Sequence, residues 1–251
     1  LKTFAAIDVG SYELAMKIFE FSPKTGMKEI DHIRHRIDLG NDTFAAGKIS
    51  YEKVDELCSI LREFADIMKT YRVEGYKAYG TSAIREPDNT AIILDQIRQR
   101  TGISIGVLSN SEQRFLDYKS IALKSADFGK IIEKGTAILD IGGGSIQLSL
   151  FDKDTLVATQ NLRIGVLRLQ ELLDKLNVKP SKHEGLLEEM IDSQLSVFKR
   201  MYLKDRNVEN IIVVDDYVSM LLQKRIAGSQ RSGYVDSEGY GRFMEYLRTH
   251  S

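Results

Sequence analysis

Two aspartates in this chain each lead into a turn of very small residues. The first stands in Asp8-Val9-Gly10-Ser11 and the second in Asp140-Ile141-Gly142-Gly143-Gly144-Ser145. Turns rich in Gly and Ser expose backbone N–H groups in one concave patch, and no Cβ keeps an anion away from them. Phosphate oxygens suit such a patch, and an aspartate just before it suits a divalent cation bridging to those oxygens. A tight turn at a sheet corner needs the same glycines, and one turn alone would favour that plainer explanation. Two turns in equivalent places, each led by Asp, favour phosphate, with Asp8 and Asp140 as the metal-holding pair. A third stretch, Gly80-Thr81-Ser82-Ala83-Ile84-Arg85, adds two hydroxyl donors and a guanidinium able to grip phosphate bidentately. A solvated helix entry is the alternative for that stretch taken by itself.

Apolar periodicity indicates the elements that must hold these residues. Strands are expected at 3–7, 14–21 and 27–39, followed by a helix over 50–71 with Ser50 as its N-cap. A strand at 75–80, a helix at 88–100, a strand at 103–108 and a helix at 111–125 complete the first half. A similar order then restarts, with strands at 136–141, 146–151 and 156–162 and helices at 166–176 and 182–202. A strand at 210–214, a helix through Arg225 and a last helix at 237–248 follow. The openings "AAIDVGSYELAMKIF" and "AILDIGGGSIQLSLF" superpose letter class for letter class, half a chain apart. Internal duplication is the simplest account. The expected architecture is α/β: two βββαβα halves, residues 1–125 and 126–251, facing each other so that both glycine turns meet at a central cleft.

Composition narrows the function classes. Net charge is -1, from 35 basic and 36 acidic residues, which speaks against nonspecific nucleic-acid binding. The single cysteine, Cys58, excludes an internal disulfide and falls in the apolar stripe of a helix. No apolar run approaches the ~20 residues of a membrane span, and no signal peptide is visible, so a reduced, cytoplasmic setting is expected. His32, His35, His183 and His250 show no metal-ligand spacing. Because the chain starts at Leu1 rather than Met, it is expected to be a fragment.

The segments "AIDVGS", "GTSAIREPDN", "SNSEQRFL", "AILDIGGGSIQL" and "RIGVLRLQE" occur in this order along nearly the whole chain. In this they resemble the exopolyphosphatase / guanosine pentaphosphate phosphohydrolase family of the actin, sugar kinase and Hsp70 ATPase fold group. The resemblance implies two ribonuclease-H-like halves around a cleft and magnesium-dependent removal of terminal phosphate from polyphosphate or guanosine pentaphosphate. It further implies phosphate binding by Gly10, Ser11, Thr81, Ser82, Arg85 and Gly142 to Ser145. Longer members carry a C-terminal helical domain, which is expected to be missing here along with the end of the second half, and the full-length protein is expected to be capable of forming a homodimer.

The chain departs from the family pattern at the chemistry. The family's catalytic glutamate, second of a Glu-Glu pair after Ser-Gly, falls on Gln113. An amide is no general base near neutral pH, and the neighbouring Glu112 points about 100° away around a helix. The Gly-Gly-Gly-Ser-Thr-Glu of relatives reads Gly-Gly-Gly-Ser-Ile-Gln here, so a second carboxylate becomes Gln147. Glu13 is expected to repel polyphosphate if it faces the cleft, and a later small-residue turn is replaced by Asp215-Asp216-Tyr217. Two functions therefore compete: a phosphoanhydride hydrolase using Glu112 or a more distant acid, and a catalytically impaired member that binds a phosphate-bearing ligand as a regulatory module.

Overall fold

The computed structural model describes residues 2–24, 26–177, 179–215 and 234–250. Strict alternation of apolar and polar residues makes β1 (Lys2–Val9) and β2 (Glu13–Ser22) half-buried strands, with Ala5, Ile7, Val9, Leu14, Met16 and Ile18 on the covered face. Antiparallel β3 (Gly26–Arg36) lies beyond β2, while β4 (Gly75–Gly80) and the short β5 (Gly106–Val107) run parallel to β1. The resulting order is β3-β2-β1-β4-β5. The covering layer is α2 (Tyr51–Thr70), whose Val54, Leu57, Leu61 and Phe64 recur at helical spacing and are buried. Ser50 caps it by accepting from the Lys53 amide, and Cys58 is buried on the same helix.

A second sheet repeats the first. Strands β6 (Thr136–Ile141), β7 (Ile146–Asp152), β8 (Thr155–Leu162) and β9 (Asn210–Val214) lie in the order β8-β7-β6-β9. Position for position this is β3-β2-β1-β4 again, so the expected duplication is present in the topology. Among the described residues, the core around Leu148, Leu150 and Phe198 is smaller than that of the first sheet.

The helices between differ from expectation in informative ways. Strand β3 ends at Arg36 because the amides of Ile37 and Asp38 both turn back to the Tyr12 carbonyl. Asp38 then adopts a left-handed conformation and α1 (Leu39–Ala46) begins. A single turn of helix, α3 (Ser82–Arg85), follows β4, and α4 (Thr90–Thr101) starts after Pro87 rather than at Asp88. Helix α5 (Asn110–Lys124) has no buried residue, and a short α6 (Phe128–Ile132) leads to the second sheet. Helices α7 (Val166–Leu176) and α8 (His183–Phe198) follow β8.

Two compact units are distinguished, Leu1–Ile212 and Val213–Ser251. In the second, α9 (Ser237–His250) opens with the Gly239 amide donating to Asp236 Oδ1 at 2.7 Å. The helix expected through Arg225, and the Asp216-Tyr217 part of the substituted turn, lie outside the described residues.

Candidate active site

Both aspartates sit near the ends of equivalent hairpins. In the first, Asp8 is opposite Ala15 and the turn is closed by the Gly10 amide donating to the Glu13 carbonyl at 3.0 Å. In the second, Asp140 is opposite Gln147, and the Gly142 amide donates to the Ser145 carbonyl at 2.9 Å. Residues directly opposite in an antiparallel pair share a face. Register alone therefore delivers Gln147 to Asp140, and the Gln147 Nε2 donates to Asp140 Oδ2 at 3.3 Å. Gln147 is 2% exposed, a depth at which an unmatched carboxylate would be costly.

Helix α5 brings the third member. Gln113 Nε2 donates to the same Asp140 Oδ2 at 2.7 Å. Gln113 and Gln147, the two positions where the family resemblance implies carboxylates, thus hold amides that hydrogen-bond one aspartate. Arg114 Nη1 donates to Gln147 Oε1 at 3.3 Å and completes the chain of contacts. One helical turn beyond Gln113, on the same face, stands Asp117, which sequence reasoning missed. Burial pushes the Asp117 carboxyl up to about 7, helped by Asp140 charge, by a hydrogen bond shared with Asp140 and by Asp8, against the opposing Arg114. Among the described residues its Oδ2 is buried with no hydrogen-bond partner. The signal was present in the four-residue spacing from Gln113 to Asp117.

Glu112 faces elsewhere. Its Oε2 accepts from the Ser109 amide at 2.8 Å and the Ser109 hydroxyl at 2.7 Å, forming a capping box at the start of α5. Those two bonds hold its carboxyl below the ordinary range. Arg85 is engaged as well: one Nη donates to the Leu108 carbonyl and Nη2 donates to Asn110 Oδ1 at 2.6 Å, so it anchors the entry to α5. Glu13 is paired with Arg34 at 2.7 Å, which offsets the charge expected to repel a polyanion.

The small-residue turns converge on one another. Ser11 Oγ and Ser82 Oγ are 3.1 Å apart and buried. A Cβ on Gly144 would collide with the Phe44 ring and lie 2.7 Å from Ser82 Oγ, and one on Gly143 would lie 2.9 Å from Ser11 Cβ. Only glycine tolerates this approach. What presses on the triple glycine is protein: Ser11, Ser82 and the Phe44 side chain of α1. The first amides of α7 are also used here, Val166 donating to the Gly142 carbonyl and Leu167 and Arg168 to that of Gly143. Thr81 begins α3, its carbonyl accepting from the Ile84 and Arg85 amides.

The sequence profile of the Ppx/GppA phosphatase family matches residues 18–239. The chain belongs to that family. Exopolyphosphatase 1 of Mycobacterium leprae is 28% identical over 192 residues, covering 76% of this chain and 55% of that protein. A guanosine-5'-triphosphate,3'-diphosphate pyrophosphatase of Aliivibrio fischeri is 25% identical over 162 residues, covering 64% of this chain and 31% of that one. This family member therefore spans about half the length, or less, of these curated relatives. An exopolyphosphatase crystal structure from Cytophaga hutchinsonii shares the fold, with a TM-score of 0.77 at 19% identity over 99% of this chain and 80% of that one.

The donor set of the cluster suits a hard cation in chemistry: Asp8 and Asp140 offer oxygen, and Asp117 has a buried oxygen with no hydrogen-bond partner among the described residues. Among the described residues no three of His, Cys, Asp and Glu stand close enough to enclose a metal ion unaided. Magnesium commonly takes one or two carboxylates and completes its shell with water and phosphate oxygens, and this family member has the residues for that arrangement.

Proposed function

We propose that this Ppx/GppA family member is a phosphoanhydride hydrolase that removes terminal phosphate from polyphosphate or guanosine pentaphosphate. The observation that carries the reading is the polar cluster of Asp140, Gln113, Gln147, Asp117 and Arg114, gathered from helix α5 and the second hairpin beside its glycine turn. In this reading Gly10, Ser11, Thr81, Ser82 and Gly142 to Ser145 present backbone and hydroxyl donors to phosphate once the turns part. Asp8 and Asp140 would hold magnesium, which when bound would neutralise phosphate charge. Asp117 is the carboxyl available to take a proton from the attacking water. Gln113 has no basicity, and the carboxylate of Glu112 is committed to its helix cap. Arg85 contributes by fixing α5 and hence the position of Gln113 and Asp117.

A second reading has a specific observation behind it. The amides of Gln113 and Gln147 satisfy Asp140 without a metal, as expected of a module that binds a phosphate-bearing ligand and does not turn it over. The two separate in one assay: phosphate release from tripolyphosphate, long-chain polyphosphate and guanosine pentaphosphate with magnesium, for wild type and Gln113→Glu/Gln147→Glu. The hydrolase reading expects measurable release by the wild type. The module reading expects release only from the double variant, since restored general-base catalysis is worth about 10²–10⁴-fold. Binding of tripolyphosphate with no release by wild type overturns the hydrolase reading in favour of the module.

A further inference from the structure

The glycine turn is closed against the first half by an ion-pair cluster that the reaction itself does not require. Glu86, which follows α3, accepts on the single oxygen Oε2 from Arg163 Nη2 at 2.8 Å and from Arg168 Nη2 at 2.7 Å. Arg168 is held from two further sides: its Nε donates to the Gly144 carbonyl at 2.9 Å, and its guanidinium lies 4.3 Å from the centre of the Phe44 ring. Hydrogen bond and ring together fix the guanidinium plane and leave Nη2 as the arm aimed at an anion. Arg163, in the loop before α7, is 68% exposed in its side chain, whereas Arg168 and Glu86 are 21% and 23% exposed. Two guanidiniums therefore meet one carboxylate oxygen, and the group keeps an excess positive charge at the rim of the turn. A planar guanidinium fork matches phosphate oxygens better than one shared carboxylate oxygen.

We infer that Arg163 and Arg168 form a binding site for the anionic phosphoanhydride chain, and that Glu86 occupies it in the absence of ligand as an internal competitor. The inference rests on the proposed hydrolase or binding reading of the same cleft and adds the residues that admit the ligand. Phosphate oxygens displace the Glu86 carboxylate from the two arginines. That displacement frees the contact that holds Phe44 and Ser82 against Gly144, and the glycine turn becomes accessible. The ligand class is a linear polyanion with at least two bridged phosphates, because one phosphate occupies the two arginines at the rim and a second is needed to reach the turn it opens.

The test is calorimetric titration of inorganic tripolyphosphate into wild type, Glu86→Gln and Arg163→Ala, each checked by its circular dichroism spectrum. Glu86→Gln removes the competing charge and is expected to bind roughly fivefold tighter, the scale of a partly exposed ion pair. Arg163→Ala is expected to bind roughly fivefold weaker on the same scale. It truncates an exposed side chain, so it decides the matter even if Glu86→Gln fails to fold. Binding by Glu86→Gln where wild type shows none also supports the inference. Wild-type binding that neither substitution changes overturns it while leaving the proposed function standing. Tripolyphosphate binding by none of the three proteins overturns both.

Discussion

Replacing Gln113 and Gln147 together by Glu puts two carboxyls against Asp140 where two amides now donate to it. The lost hydrogen bond from Gln113, made at 2.7 Å to a carboxylate, is worth about 1.5–3 kcal/mol. The longer one from Gln147, at 3.3 Å, is worth about 1 kcal/mol. Like-charge repulsion would add up to ~4 kcal/mol per pair at about 4 Å and an effective dielectric near 20. Each new Glu can escape it by binding a proton, which caps its penalty at pH 7 near ~3.7 kcal/mol given an ordinary pKa of about 4.3. Allowing for partial exposure and for Arg114 nearby, the metal-free double variant should lose about 3–5 kcal/mol. For a chain of 251 residues that corresponds to a melting temperature roughly 6–20 °C below wild type. Magnesium at about a hundred times its dissociation constant returns ~2.7 kcal/mol to a protein that binds it only when folded. Differential scanning fluorimetry in EDTA and in magnesium reads both numbers. A double variant that melts within 2 °C (roughly 1 kcal/mol) of wild type in EDTA, or a magnesium shift equal in both proteins, would refute the argument that the amides stand in for a cation.

Other expectations follow from single contacts. Asp117 carries a folded pKa of about 7, above its ordinary value of 3.8. The folded state therefore holds the proton more tightly, and stability falls as pH rises from about 4 to about 7 and is level above that. With screening considered, Asp117→Asn should be about 1–2 kcal/mol more stable than wild type at pH 8 in EDTA and no more stable at pH 4. Equal gains at both pH values in urea melts would exclude this account. Arg85→Ala leaves the Leu108 carbonyl and Asn110 without their partner and should cost about 2–3 kcal/mol, with amide exchange rising first at the start of α5. A loss of ligand affinity with unchanged stability would instead make Arg85 a phosphate ligand. Gly165→Ala drives a Cβ into the backbone of Gly143 and Ser145 and should cost about 3 kcal/mol or more, measured as a lowered urea midpoint.

The hairpins were legible because their alternation is clean and their turns repeat, whereas the pairing of Asp140 with Gln147 follows from a strand register that the alternation left unassigned. Helix α1 was not. It is eight residues long, carries Gly40 and Thr43 inside it, and is held by burial of Leu39 and by the Gly40 amide donating to the Ser11 carbonyl. Local propensity has little to say about an element fixed by tertiary contacts. The three glycines were read as space for phosphate, since a sequence does not reveal that Phe44 and Ser82 fill it. Arg85 looked like a ligand because an arginine in a loop advertises its charge and conceals its partners. Asp117 could have been found by carrying the helical period one turn past Gln113.

The two amides on Asp140 also have a genetic consequence. Codons for glutamine and glutamate differ only in their first base, and the side chains have nearly the same shape. Each of these positions can therefore pass between donor and acid in a single mutational step without disturbing the packing around Leu148 and Leu150. A lineage carrying this fold can thereby alter how strongly its cleft calls for a cation by point mutation alone, while the scaffold and its duplicated hairpins stay as they are.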